Sequence, residues 1–179
     1  MFSRHLSAVA VSIAMVAAPV GSGVAFAQTP PAATAQSLQG VISTAARGAA
    51  AQSGFQTMAA DTKTSAIVTS VSGALAVSGA SPEVIADALI QAVSDGTISA
   101  GVAISVAASV APGMAAKVAA AKVVKDQLAK TGQTATVTAS TDGAGGVSVL
   151  VGLAGADAGG GQTAAYDPCA GVIAAYCGS

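Results

Sequence analysis

The sequence predicts a mainly α-helical protein: a small alanine-rich bundle or helical-hairpin array with a short C-terminal β-hairpin and a disulfide-closed tail. Three observations carry that expectation. Apolar residues recur at helical spacing from about residue 38 to residue 130, bounded by cap residues and x-Pro steps. Beyond Lys130 the composition shifts to Thr, Val and Gly with period-two alternation. Both cysteines, Cys169 and Cys177, lie close to the C-terminus.

The composition sets the frame for each element. Of 179 residues, 53% are hydrophobic, 8% charged and 3% aromatic, a pairing that matches neither an ordinary globular domain nor a charge-rich disordered chain. Small side chains dominate, so helices can approach closely. A formal net charge of −1 offers nucleic acid no electrostatic handle.

Residues 1–27 read as a secretory signal peptide. Arg4 and His5 give a positive start, residues 6–20 an apolar run, and Ala25-Phe26-Ala27 an A-x-A cleavage site before Gln28. A transmembrane anchor needs about 20 strongly apolar residues, whereas Pro19, Gly21 and Gly23 interrupt this run. Residues 28–36, with adjacent prolines, read as a flexible leader.

The helical domain is expected over residues 37–131. Leu38, Val41, Ile42, Ala45 and Ala49 form one stripe. A second helix starts with Asp61 as N-cap and carries Ile67, Val71 and Leu75, although Thr and Val keep a strand reading open over 65–72. The third has Ser81 as N-cap, Pro82 at N1, a buried face of Val84, Ile85, Ala88, Leu89, Ala92 and Val93, and a stop at Asp95-Gly96.

Residues 97–116 contain no charge and read as a buried helix from Ser99 to Val110 rather than a membrane span, because Pro112 interrupts a stretch built of Ala, Ser and Gly. A fifth helix over about 113–130 sets Lys122, Asp126 and Lys130 opposite Met114, Ala121, Val124 and Leu128, with Gly132 as terminator. The steps Ser81-Pro82 and Ala111-Pro112 each open a helix, which suggests a repeated hairpin.

Residues 132–154 form the hairpin segment. Val147, Val149, Val151 and Leu153 alternate on one face, and a Gly-rich turn joins two β-rich runs. Two strands alone are marginal in water, so the hairpin packs on the helices, pairs with another molecule or stays only partly ordered. Residues 155–179 are a Gly-rich linker and the cysteine-bearing tail.

Once His5 leaves with the signal, the mature chain has no histidine. That excludes Ser-His-Asp and Cys-His nucleophile pairs and His-ligated zinc. The sequence around Gly143 mimics G-x-G-x-x-G, but Ser148 replaces the third glycine and a strand follows where a helix is required. Glu83 with Asp87, and the lysines 117, 122, 125 and 130, read as wetted helix edges. No catalytic residue, cofactor or metal site is assigned, and the chain is read as non-enzymatic.

The one specific constellation is the tail. A pair of cysteines in an exported chain implies a Cys169–Cys177 disulfide. Residues eight apart on a straight helix are about 12 Å apart, too far for a bridge, so the chain must bend back, with Gly171 as the natural place. Tyr166 and Tyr176 beside the cysteines are either part of a protective clamp or a small interaction knob. The expectation is an exported structural or protein-interaction component of the bacterial envelope, periplasmic or secreted. It would bind a protein partner or itself, with no integral membrane span after cleavage; the alternative is a membrane-active or self-assembling protein rich in small residues.

Overall fold

In the computed structural model, residues 33–141, 147–155 and 165–177 are described, all within the unit Pro31–Ser179. The segments read from the sequence as signal peptide, first part of the leader (28–32), hairpin turn (142–146) and most of the Gly-rich linker lie outside them. Among the described residues are seven α-helices, two 3-10 turns and one two-stranded antiparallel sheet.

Helix α1 (Ala35–Ala50) begins earlier than expected, inside the stretch read as leader. Thr34 caps it: its hydroxyl accepts from the Ser37 N–H at 3.2 Å, and Ser37 Oγ accepts from the Thr34 N–H at 3.0 Å. The reciprocal pair is a capping box with Ser in place of the usual Glu or Gln. A 3-10 turn at Phe55–Thr57 then buries Phe55.

Helix α2 (Ala60–Ala76) spans the segment that had kept a strand reading open, with Ile67, Val71 and Leu75 buried. Its N-cap is Ala59, not Asp61. Asp61 sits in the first turn, where its charge suits the helix dipole without capping. Helix α3 (Pro82–Ser94) follows the expectation closely: the Ser81 hydroxyl accepts from the Val84 N–H, and Asp95 is the C-cap.

Helix α4 (Ala100–Val110) forms the centre of the structure. Val102, Ala103, Ile104, Val106 and Ala107 have no exposed surface, and α4 touches α2, α3, α5, α6 and β2. A helix apolar on nearly every side belongs in a core. Among the described residues no helix is long and apolar enough to cross a membrane.

The expected fifth helix is two helices. A 3-10 turn at Pro112–Met114 leads into α5 (Ala115–Ala120), and α6 (Lys122–Thr131) follows after Ala121 leaves the helical region at φ −59°, ψ 135°. Val118 and Val124 are both fully buried. Six residues apart on one continuous helix they would point about 120° away from each other; the break at Ala121 lets both face the core. Pro82 therefore opens a full helix whereas Pro112 opens a single tight turn, so the two x-Pro steps do not begin equivalent hairpins.

Gly132 ends α6 in the left-handed region at φ 63°, as its position after the last periodic residue implies. Strands β1 (Thr134–Thr141) and β2 (Val147–Ala154) pair antiparallel with Thr134 opposite Ala154 and Val137 opposite Val151. Ala135, Val137, Val149 and Val151 pack against the core. Thr134, Thr136 and Thr138 are exposed on the other face with Leu150, which is 72% exposed. The helices thus supply the support that two strands lack alone.

Candidate functional site

Aromatic and polar side chains from several helices converge on the tail. Cys169 and Cys177 form the disulfide, with Cα atoms 5.6 Å apart. The bend that this requires occurs at Gly171, φ 75°, before the short helical turn α7 (Ala174–Cys177). A Cβ at Gly171 would also lie 3.1 Å from Thr131 Cγ2 and 3.2 Å from Gln127 Cγ. Glycine here satisfies both a positive φ and a close approach.

Tyr166 faces inward. It is 2% exposed, and its phenol lies over Gly101 at the start of α4. The Gly101 N–H donates to Tyr166 Oη at 2.6 Å, and the Tyr166 hydroxyl donates to Ser99 Oγ at 2.9 Å. The Ala100 N–H donates to Gln127 Oε1. Ser99 makes no side-chain cap bond to its own helix, so two side chains distant in sequence cap α4 in its place.

Of the clamp and the knob, this inward placement bears on the knob alone, since the ring and hydroxyl of Tyr166 are committed to α4 of the same chain. Tyr176 is half-buried on α7, with the Arg47 guanidinium 5.6 Å from its ring centroid, a cation–π distance. The structure therefore separates the two tyrosines that the sequence places together.

Glutamines stitch the rest of the tail to the body. Gln133 Nε2 donates to the Asp167 carbonyl at 2.7 Å, Gln127 Nε2 to the Gly171 carbonyl at 3.2 Å, and Gln56 Nε2 to the Cys177 carbonyl at 2.6 Å. The Ile173 N–H donates to the Gly96 carbonyl at 2.9 Å. Asp167 Oδ1 accepts from the Cys169 N–H at 2.9 Å, a local Asx-type turn. Sequence reasoning missed these glutamines, because an amide that bonds a distant carbonyl carries no periodic or spacing signal.

Four of the charged residues are held in two surface pairs. Lys117 meets Asp87 at 2.9 Å and Lys122 meets Asp126 along α6; exposed pairs of this kind contribute at most about 1 kcal/mol. Among the described residues no group of three or more His, Cys, Asp or Glu side chains gathers to hold a metal ion. No family model, curated protein or solved structure matches the chain.

Burial pushes the Tyr166 phenol above its ordinary value of 10.0, and the nearby Asp167 carboxylate adds to the rise; hydrogen bonds with Ser99, Gly101 and Val102 pull the other way. A group raised on folding contributes stability that is fully present below its unfolded pKa and lost as pH rises toward the folded one. Tyr166 therefore stabilises the fold up to pH about 10 and progressively less above it. Tyr166→Phe, which leaves the Gly101 N–H without its acceptor, is expected to lower stability by about 1–3 kcal/mol and to flatten alkaline unfolding monitored by circular dichroism.

A Cβ at Gly101 would lie 2.2 Å from Tyr166 Cζ. Gly101→Ala should therefore destabilise the protein by about 1–3 kcal/mol through overpacking, even though alanine favours helix by about 1 kcal/mol. Urea denaturation measures the sign. Opening the disulfide with Cys169→Ser and Cys177→Ser should cost about 2–3 kcal/mol in the chain-entropy account of so short a loop, measured as the difference in urea midpoint between oxidised wild type and the double variant.

Proposed function

We propose that the protein is an exported, non-enzymatic structural or protein-interaction component of the bacterial cell envelope, working in the periplasm or outside the cell. The observation that carries this reading is the tail disulfide, whose Cys177 end is only 4% exposed and packed in the core. Disulfides used in this structural way belong to oxidising compartments. The Ala25-Phe26-Ala27 site behind an apolar run supplies a route there. The absence of histidine after Gln28 and the pairing of Asp87 and Asp126 with lysines on the surface support a binding rather than a catalytic role.

Expression of the full chain in a bacterium tests the reading. The expected product begins at Gln28, is recovered from the periplasmic fraction or the medium, and has both thiols blocked before reduction; a non-reducing pull-down from that fraction should retain envelope proteins or further copies of the chain. An uncleaved product in the cytosol with two free thiols overturns the proposal.

A further inference from the structure

A second feature of the tail lies on the outer side of Tyr176. Gln36, Gly40 and Ser43 fall on one face of α1 at i, i+4 and i+7, and with Gln39, Asp95 and Tyr176 they line an open pocket of about 320 Å³. That volume is at the small end of the range for small-molecule sites. The lining is mostly polar: two carboxamides, the hydroxyls of Ser43 and Thr97, and a carboxylate beside one aromatic ring. Gly40 has open space where a Cβ would stand, so the α1 wall of the pocket carries no side chain at that position.

The chemistry of the lining selects among ligands. Asp95 contributes negative charge and neither lysine nor arginine lines the pocket, so a phosphate or carboxylate finds no cation in its wall. A quaternary ammonium needs a cage of aromatic rings, and one ring is present. An apolar ligand would strand the amides and the carboxylate without partners.

A neutral saccharide satisfies all of these groups. Gln39 Nε2 already donates to the Asp95 carboxylate, which orients it. The lone pairs that remain on Asp95 accept hydroxyl donors, while the carboxamides of Gln36 and Gln39 can both donate and accept. The apolar C–H face of a sugar ring has the part of the Tyr176 ring that lines the pocket to lie against, since the face of an aromatic ring carries negative potential.

We propose that this pocket between α1, the end of α3 and α7 is a saccharide-binding site, with Tyr176 as its platform and Asp95 as its principal hydroxyl acceptor. The assignment does not rest on where the chain resides, and a purified protein tests it apart from export. The disulfide constrains Tyr176 from the neighbouring position, so the oxidised tail is the form to test.

The test is titration of the oxidised chain from Gln28 onward with maltose, lactose and N,N′-diacetylchitobiose, followed by ¹H–¹⁵N spectra that resolve the side-chain amides of Gln36 and Gln39. At least one disaccharide should give saturable shifts of both amides and of the Tyr176 N–H with a millimolar dissociation constant. Gly40→Leu, whose side chain enters the open space without a neighbour to displace, should keep the wild-type circular dichroism spectrum and Tm and weaken binding at least tenfold; Asp95→Asn should weaken it similarly.

Co-sedimentation with an insoluble cell-wall glycan separates the two sources of such a ligand. Retention on the polymer together with disaccharide binding identifies a polymer-borne sugar, and disaccharide binding alone a free one; both uphold the site. No saturable shift with any of the three sugars overturns it, as does unchanged affinity in a folded Gly40→Leu. Saturation of the same amides by tetramethylammonium or inorganic phosphate in place of sugar overturns it as well.

Discussion

The structure depends on how the first turn of α4 is satisfied. A helix buried on nearly every side cannot leave its leading N–H groups to water, and an unpaired buried amide costs about 1–3 kcal/mol. Ser99 stands at the N-cap but does not cap. Gln127 from α6 and Tyr166 from the tail reach the first two amides instead. The central helix is thereby completed by side chains 27 and 65 residues away in sequence, and the tail becomes part of the core.

That dependence accounts for much of the unusual composition. A chain with 8% charged residues has few ion pairs with which to fasten its end, and the two found among the described residues lie on helix surfaces. Glutamine amides do the fastening, each matched to a tail carbonyl. An uncharged amide can be partly buried at far lower desolvation cost than a lysine or glutamate. The disulfide then limits how far the segment can stray when these bonds open, which preserves the docking of Tyr166 and the placement of Tyr176.

Small residues have two separate uses here. In the core, alanines of α3 and α4 bring backbones together: Ala86, Ala88, Ala92, Ala103 and Ala107 have no exposed surface. At Gly101 the missing Cβ makes room for the Tyr166 ring, and at Gly40 it leaves the α1 wall of the pocket beside Tyr176 without a side chain. The first glycine is occupied by the protein itself and the second is not, which is why only the second offers space to a ligand.

What was legible in the sequence is what local chemistry dictates. Ser81-Pro82 announces α3 because a hydroxyl cap and a preset φ act within one turn. The period-two run at 147–153 announces β2, Gly132 announces the end of α6, and the eight-residue spacing of the cysteines demands a bend that Gly171 supplies. The departures have two causes, one a local cap of unusual composition and the other tertiary packing. Thr34 pairs with a serine instead of the usual acid or amide at N3, and Ala121 breaks a helix so that Val118 and Val124 can share one core. By itself the sequence determined the helices, the hairpin and the closed tail, since periodicity, caps and cysteine spacing act within a few residues. Only the tertiary structure decided that Tyr166 turns inward to cap α4 and Tyr176 stays at the surface, because the burial that separates them comes from helices far away in the chain.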